Sequence, residues 1–150
     1  MQRRIESACG RGSADIAAVL ARLEAALSEA GCPPPASAPF MVVAEEMVSN
    51  VARHAWPEDA APGVFTVSAG IRRQPGGIEV VLATEDDGVP FDPTLRAAPD
   101  TDAALEDRPV GGLGIHLVMR MTDWQCYRRE AGRNRFSVIW RCPPVRPARA

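Results

Sequence analysis

The sequence predicts a two-layer α/β sandwich in which three helices cover one face of a mixed, mostly antiparallel sheet. Two segments repeat apolar residues at helical spacing, two pairs of strand-like segments are each joined by a glycine-containing turn, and a glycine-rich stretch opens a third helical segment. The chain has 150 residues, 46% of them hydrophobic, which suits a single core. We therefore expect one domain over residues 1–142 and a disordered tail over residues 143–150.

The first residues predict a strand and a helix. Residues 2–7 are compatible with a leading strand. Over residues 13–30, apolar residues recur every three or four positions, which is the spacing of one helix face. Ser13 or Asp15 is expected to cap the start of this helix, and Gly31 to close its end.

A proline-rich connector and a second helix follow. Residues 32–35, CPPP, are expected to exclude helix and form a stiff link. The second helix is predicted to begin near Pro39 and to stop at the Trp56-Pro57 step. Its buried positions are expected to be Val43, Met47, Val48 and Val51.

Two hairpins are predicted from the remaining apolar segments. Residues 64–72 and 78–84 flank a turn that contains proline and glycine, which predicts an antiparallel pair. Residues 125–129 and 136–142 form a second pair around a turn at residues 131–134, AGRN.

An irregular segment and a third helix lie between the two hairpins. Residues 91–110 are acidic and contain three prolines, and a long irregular segment in a small domain is typical of a lid. A helix is predicted over residues 115–122.

The composition excludes several chemistries. All 17 basic residues are arginine, so the chain has no lysine for a P-loop, a Schiff base or the phosphate anchor of ordinary protein kinases. An anion must therefore be held by arginine, histidine, backbone N–H groups or a metal. The net charge of -2 argues against direct binding of nucleic acid.

Membrane and secretion signals are not apparent in the sequence. No apolar run approaches the roughly 18 residues that cross a bilayer, and the N-terminus lacks the apolar region of a signal peptide. The four cysteines show no metal-ligand spacing, which favours reduced thiols. We expect a cytoplasmic protein that contacts no membrane.

The second helix carries the first candidate group of functional residues. Glu46, Asn50 and His54 are spaced four residues apart and therefore share one helix face, with Arg53 beside them. A carboxamide oxygen suits Mg²⁺, and a carboxylate can act as a general base. The alternative is a polar stripe that faces water.

The second and third groups are short turns rich in acidic residues or glycine. Asp86 and Gly88 follow an apolar strand, where a carboxylate can accept a hydrogen bond from an exocyclic amine such as that of adenine. Residues 111–114, GGLG, open a helix whose free N–H groups suit a phosphate. The alternatives are an ordinary Asp-Gly turn and a glycine hinge or tight packing site.

Taken in order, the three groups resemble the GHKL ATPases, the superfamily of gyrase, heat-shock chaperone, histidine kinase and mismatch-repair ATPases. The matching stretches are AEEMVSNVARHAW, EDDGVPFDP and GGLGIHLVMRMTDWQCYRREAGRNRFSVIW. The likeness covers about residues 13–141, and the short chain is most similar to the anti-sigma-factor serine kinases. The resemblance implies the Bergerat ATP-binding fold, with residues 91–110 as the ATP lid.

The resemblance also implies a role for each matching residue. Asn50 should ligate Mg²⁺, Glu46 should activate the attacking hydroxyl, and Asp86 should bind the adenine amine. The remaining nucleotide-binding positions would be Gly88 beside the base, Arg53 or His54 at a phosphate, Arg108 within the lid, and Gly111, Gly112, Leu113 and Gly114 around the phosphates.

Two positions depart from the family pattern. Pro90 stands where the family has a second glycine, and it has no N–H to donate. Val110 stands near a position where several relatives carry an arginine for the γ-phosphate, and Arg108 lies slightly upstream.

The function implied is that of an ATP- and Mg²⁺-dependent serine-protein kinase and anti-sigma factor. It would phosphorylate a serine of a STAS-type anti-anti-sigma partner, hold a sigma factor and form a homodimer. The alternative is an ATP-gated protein-binding module without phosphoryl transfer, which Pro90 and Val110 favour. A third candidate is an ATPase without a protein substrate.

Overall fold

A computed structural model describes the chain over residues 2–57, 63–95 and 112–143. The predicted tail after residue 143 and the predicted lid from residue 96 on lie outside these residues. The described elements are β1 (Gln2–Gly10), α1 (Ser13–Glu29), α2 (Pro34–His54), β2 (Val64–Gln74), β3 (Gly77–Asp86), a 3₁₀ turn (Pro93–Leu95), α3 (Gly112–Met121), β4 (Trp124–Glu130) and β5 (Arg133–Cys142).

The five strands form one sheet in the order β1-β2-β3-β5-β4, and every pairing is antiparallel. The predicted fold class is confirmed, although the sheet is not mixed. Strands that run in the same direction never become neighbours, because β2 separates β1 from β3 and β5 separates β3 from β4. None of the described helices is long and apolar enough to cross a membrane.

Helix α1 ends as the sequence predicts but begins differently. Gly31 has a φ of 102°, its N–H donates to the Ser28 carbonyl, and the Cys32 N–H donates to the Leu27 carbonyl. This is the Schellman pattern, in which glycine takes the left-handed position. The predicted side-chain cap is wrong, since the helix starts one residue after Gly12 and no side chain caps it.

Helix α2 begins five residues earlier than predicted. Pro33 is the N-cap residue, and Pro34 and Pro35 belong to the first turn. The expectation that these prolines exclude helix was wrong because the first-turn N–H groups have no partner inside a helix, so proline loses nothing there. Pro39 lies inside the helix rather than in its first turn.

The three helices cover the inner face of the sheet, and the core lies between the two layers. Phe40 of α2 packs against Trp140 of β5, with 5.3 Å between the ring centroids. The side chains that point inward from the strands and are buried include Phe65, Val67, Ile71, Val80, Leu82, Phe136 and Val138. The four predicted apolar positions of α2 are all buried, as predicted.

The outer face of the sheet carries exposed ion pairs instead of helices. Glu79 on β3 lies 3.0 Å from Arg72 and 3.3 Å from Arg141. Glu85, also on β3, lies 3.6 Å from Arg133 and 3.2 Å from Arg135 on β5. Alternation along each strand therefore places charge on one face and the core on the other.

Three of the four cysteines are buried in the core. The Cys32 thiol donates to the Cys142 sulfur at 3.0 Å, and Cys9 is buried nearer the N-terminus. Burial, and next the hydrogen bond with Cys142, raise the pKa of the Cys32 thiol to about 12. Cys126 on β4 is only partly buried.

We expect iodoacetamide to label the native protein at Cys126 and to spare Cys32. Alkylation requires an accessible thiolate, and Cys32 is enclosed and remains protonated at pH 8 because its pKa is raised. Mass spectrometry of peptides after brief labelling measures both sites. A Cys126→Ser variant should take up almost no label, and labelling of Cys32 at the rate of Cys126 would contradict the packing described.

Candidate functional site

Part of the polar stripe of α2 faces a cavity. The cavity lies between α2, the ends of β3 and β5, and the beginning of α3. Asn50 and His54 line it, together with Thr84, Asp86, Val89, Phe91, Tyr127, Asn134 and several apolar side chains. The structure thus brings the first and second candidate groups of residues together.

Asn50 is a buried polar side chain without a hydrogen-bond partner among the described residues. It is 9% exposed and borders the cavity. A buried carboxamide without a partner costs stability unless a ligand engages it. Its oxygen is the kind of donor that Mg²⁺ takes, and one protein ligand is enough when a nucleotide's phosphates supply others.

Glu46 lies one turn from Asn50, against the first turn of α3. A Cβ atom on Gly114 would meet the Glu46 carboxylate, so this carboxylate lies close to the backbone of α3 at that residue. The Glu46 side chain is 30% exposed and lies 3.8 Å from the guanidinium of Arg53. Arg53 is half exposed and does not line the cavity, whereas His54 does.

The beginning of α3 includes the glycines that were expected to precede it. The helix starts at Gly112, three residues before the predicted start, so Gly112 and Gly114 lie in its first turn. N–H groups of a first turn have no intrahelical acceptor, and the helix dipole adds a partial positive charge there. Only the backbone of Leu113 is described, and Gly111 and Arg108 lie outside the described residues.

Asp86 ends β3 opposite Asn134 of β5, and both side chains are buried. Asp86 Oδ1 accepts hydrogen bonds from the Gly88 N–H and from Asn134 Nδ2, both at 2.9 Å. Its Oδ2 accepts none from the described residues. A buried carboxylate oxygen therefore remains available to a donor placed in the cavity.

The turn after Asp86 is fastened to the end of α2. The Val89 N–H donates to the Ala55 carbonyl at 2.8 Å, and Trp56 Nε1 donates to Asp87 Oδ1 at 2.9 Å. A Cβ atom on Gly88 would collide with the Ala55 carbonyl oxygen. Among the described residues, Gly88 therefore allows the turn after β3 to lie close to the backbone at the end of α2.

The segment that opens the predicted lid lies on the same cavity. Phe91 stacks on His54 with 6.1 Å between the ring centroids and 21° between the planes. Asp92 accepts from the Thr94 N–H at 2.9 Å, which starts the 3₁₀ turn at Pro93–Leu95. An imidazole and a phenyl ring, stacked on each other, therefore both border the site.

Sequence reasoning missed the contribution of the last hairpin. It assigned Asn134 to a four-residue turn, but the turn consists of Ala131 and Gly132, with φ values of 52° and 74°. Two positive φ values are required by a type I′ hairpin turn, so β5 begins at Arg133 and Asn134 points inward. Tyr127 on β4 lines the cavity as well.

Thr84 is a third cavity residue to which no role was assigned from the sequence. It lies two residues before Asp86 on β3, faces inward and is 2% exposed. Its hydroxyl has no hydrogen-bond partner among the described residues. The alternation of β3 contained the signal, since residues 84 and 86 share a strand face.

Comparison with known proteins identifies a family and a similar solved structure. A family model described as histidine kinase-like ATPase domain matches residues 12–140. The crystal structure of the RsbU and RsbW domains of Rv1364c from Mycobacterium tuberculosis is similar, with a TM-score of 0.62 and 17% identity. The match covers 98% of this chain and 34% of that one, so this chain spans about a third of its length. No curated protein matches the sequence.

We expect Gly88→Ala to destabilise the protein by about 1–3 kcal/mol, because the added methyl group meets a backbone carbonyl that cannot move aside. Thermal unfolding followed by circular dichroism measures the change. The matched control is Gly76→Ala in the first hairpin turn, where a Cβ atom meets nothing within 4 Å. Equal melting temperatures for the two variants would show that the contact with Ala55 is not required.

Proposed function

The chain belongs to the histidine kinase-like ATPase domain family, and from this membership we propose that it is an ATP- and Mg²⁺-dependent protein serine kinase and anti-sigma factor. The observation that carries the proposal is the oxygen of the buried Asp86 carboxylate that accepts no hydrogen bond from the described residues, in the cavity that Asn50 also borders, with Glu46 one helical turn away. The ATPase family supports ATP as the nucleotide. Kinase chemistry and the partner are the further steps of the proposal.

The adenine base would bind at the sheet end of the cavity. Asp86 Oδ2 accepts from the 6-amino group, and the stacked rings of His54 and Phe91 provide an apolar wall for the base. Asp86 is surrounded by hydrogen-bonded groups, so the acceptor is fixed before the ligand arrives and little ordering remains to be done on binding.

The phosphates would lie toward the first turn of α3. Gly112 and Gly114 offer backbone N–H groups, and Asn50 would hold Mg²⁺ through its carboxamide oxygen. When bound, Mg²⁺ neutralises charge on the phosphate oxygens. This arrangement accounts for nucleotide binding by a chain whose basic residues are all arginine.

In this proposal Glu46 acts as the general base. Its carboxylate lies beside Gly114 and remains partly exposed, so a hydroxyl from outside can reach it. The carboxylate takes the proton of a serine hydroxyl, and the serine oxygen bonds to the γ-phosphorus. The bond from this phosphorus to the β,γ-bridging oxygen breaks, and ADP leaves.

The partner in this proposal is a STAS-type anti-anti-sigma protein that carries the serine. The fold shared with a structure whose description includes an RsbW domain supports a regulatory kinase of this type. Release of the phosphorylated partner would leave the kinase, as a homodimer, free to hold a sigma factor.

A second candidate function is an ATP-gated binding module without phosphoryl transfer. It is favoured by Pro90, which has no N–H at the position where the family pattern has a glycine. The two functions share the nucleotide site and differ only in whether Glu46 meets a hydroxyl.

We expect Asp86→Ala to weaken binding of Mg²⁺·ATP roughly 10- to 100-fold, because a charge-assisted hydrogen bond is lost. Isothermal titration calorimetry measures the dissociation constant. Glu85→Ala is the matched control, since this neighbouring carboxylate faces the opposite side of the sheet, toward Arg133 and Arg135. Equal affinities of the two variants for Mg²⁺·ATP would show that Asp86 does not bind the nucleotide.

We expect Glu46→Gln to bind ATP like the wild type and to transfer phosphate at least roughly 100-fold more slowly, since an amide cannot accept the serine proton. The assay follows label from γ-³²P-ATP onto STAS proteins of the same organism. Glu45→Gln, on the exposed side of α2, is the control. Transfer by Glu46→Gln at the wild-type rate would exclude the base, and ATP-dependent complexes without label would favour the binding module.

A further inference from the structure

We infer that Asn134 is a positioning residue that holds the Asp86 carboxylate so that one oxygen is fixed inside the protein and the other is presented to the 6-amino group of a purine. The inference rests on the proposed binding of ATP. It assigns adenine selection to a pair of strand residues, of which only Asp86 touches the ligand.

The surroundings of Asn134 fix the orientation of its amide. Nδ2 donates to Asp86 Oδ1 at 2.9 Å and to the Val89 carbonyl at 2.8 Å, and both of these groups are acceptors. Oδ1 accepts from the Tyr127 hydroxyl at 2.5 Å and from Arg129 at 3.0 Å, and both of these are donors. Reversing the amide would oppose like groups at the contacts with Asp86, Val89 and Arg129, since only the tyrosine hydroxyl can also accept a hydrogen bond.

These four contacts use the whole hydrogen-bonding capacity of Asn134. A carboxamide has two N–H donors and one oxygen with two lone pairs, and each is engaged within the protein. Asn134 therefore has no group left for a ligand, although it lines the cavity. Its effect on a ligand must pass through Asp86.

Asn134 also separates Asp86 from a nearby cation. Arg129 donates to Asn134 Oδ1 and, at 3.1 Å, to the Gly88 carbonyl. No ion pair between Arg129 and Asp86 occurs in the described part of the chain. Because the guanidinium is held by these neutral oxygens, Oδ2 of Asp86 stays available to a donor from the cavity.

A carboxylate held in this way distinguishes purines at position 6. A 6-amino group donates to Oδ2, whereas a 6-oxo group places an acceptor against an acceptor in a buried site. A purine with hydrogen at position 6 loses the hydrogen bond without introducing repulsion. Selection of ATP should therefore depend on Asn134 even though Asn134 does not touch the base.

The test compares two nucleotides on two proteins. Calorimetry measures the dissociation constants of ATP and of purine riboside triphosphate, which has no substituent at position 6, for the wild type and for Asn134→Leu. We expect the wild type to prefer ATP by roughly 10- to 100-fold and the variant to prefer it by less than about threefold. If Asn134 had a purely structural role, Asn134→Leu would weaken binding of both nucleotides equally and leave the ratio of their dissociation constants unchanged.

Two further variants make the outcome decisive. Tyr127→Phe removes one hydrogen bond to Asn134 but leaves the hydrogen bond between Asn134 and Asp86 in place, so the preference for ATP over purine riboside triphosphate should fall only in part. This variant also provides the test if Asn134→Leu does not fold. Ser137→Ala, on the outer face of the same strand, should leave the ratio unchanged. A wild type that binds no ATP would overturn the proposed function, whereas an unchanged ratio in Asn134→Leu and Tyr127→Phe would overturn this inference alone.

Discussion

The site depends on the close approach between the end of β3 and the end of α2. The Val89 N–H and the Ala55 carbonyl join the two layers at this point, and Gly88 permits the contact because it has no side chain. Asp86 comes from the sheet and Asn50 from the helix, so their separation is set by this junction. Sub-ångström shifts at this junction would change the positions of both Asp86 and Asn50, because neither residue lies on an adaptable loop.

The two layers contribute different chemistry to the cavity. The sheet supplies hydrogen-bonding groups held rigidly by neighbouring strands, which suits selection of a flat base. The helices supply the Asn50 carboxamide and, one turn away, the Glu46 carboxylate beside the first turn of α3. Under the proposed function, a substitution in the sheet should alter nucleotide preference, whereas a substitution in the helices should alter phosphate transfer.

Most of the fold could be predicted because apolar periodicity reports burial directly. The face of α2 and both hairpins followed from it, and Gly31 closed α1 as its conformational freedom suggests. The start of α2 was missed because consecutive prolines were interpreted as excluding helix. Proline disrupts the interior of a helix but is tolerated in its first turn, and composition alone does not distinguish the two positions. The length of the last turn was missed because Ala131 adopts a positive φ, which alanine seldom does.

The candidate site was predictable only where a residue's chemistry is visible in its spacing. Glu46 and Asn50 share a helix face, and Asp86 ends an apolar strand, so these three residues could be identified as candidates from the sequence. Asn134 is distant in the sequence and joins the site through strand pairing, which a single sequence does not specify. The error in the turn concealed it further, since a residue assigned to a turn was not considered as an inward-facing partner.

The alternation of side chains along β5 limits which changes in the sequence the site tolerates. Arg133 and Arg135 face Glu85 on one side of the sheet, while Asn134 between them faces Asp86 on the other. Adding or removing one residue within the pairing would exchange the faces and set a guanidinium beside Asp86. The carboxylate would then be neutralised from within and lost to any ligand. A substitution on the outer face of this hairpin leaves Asn134 opposite Asp86, whereas a change in the length of the hairpin does not.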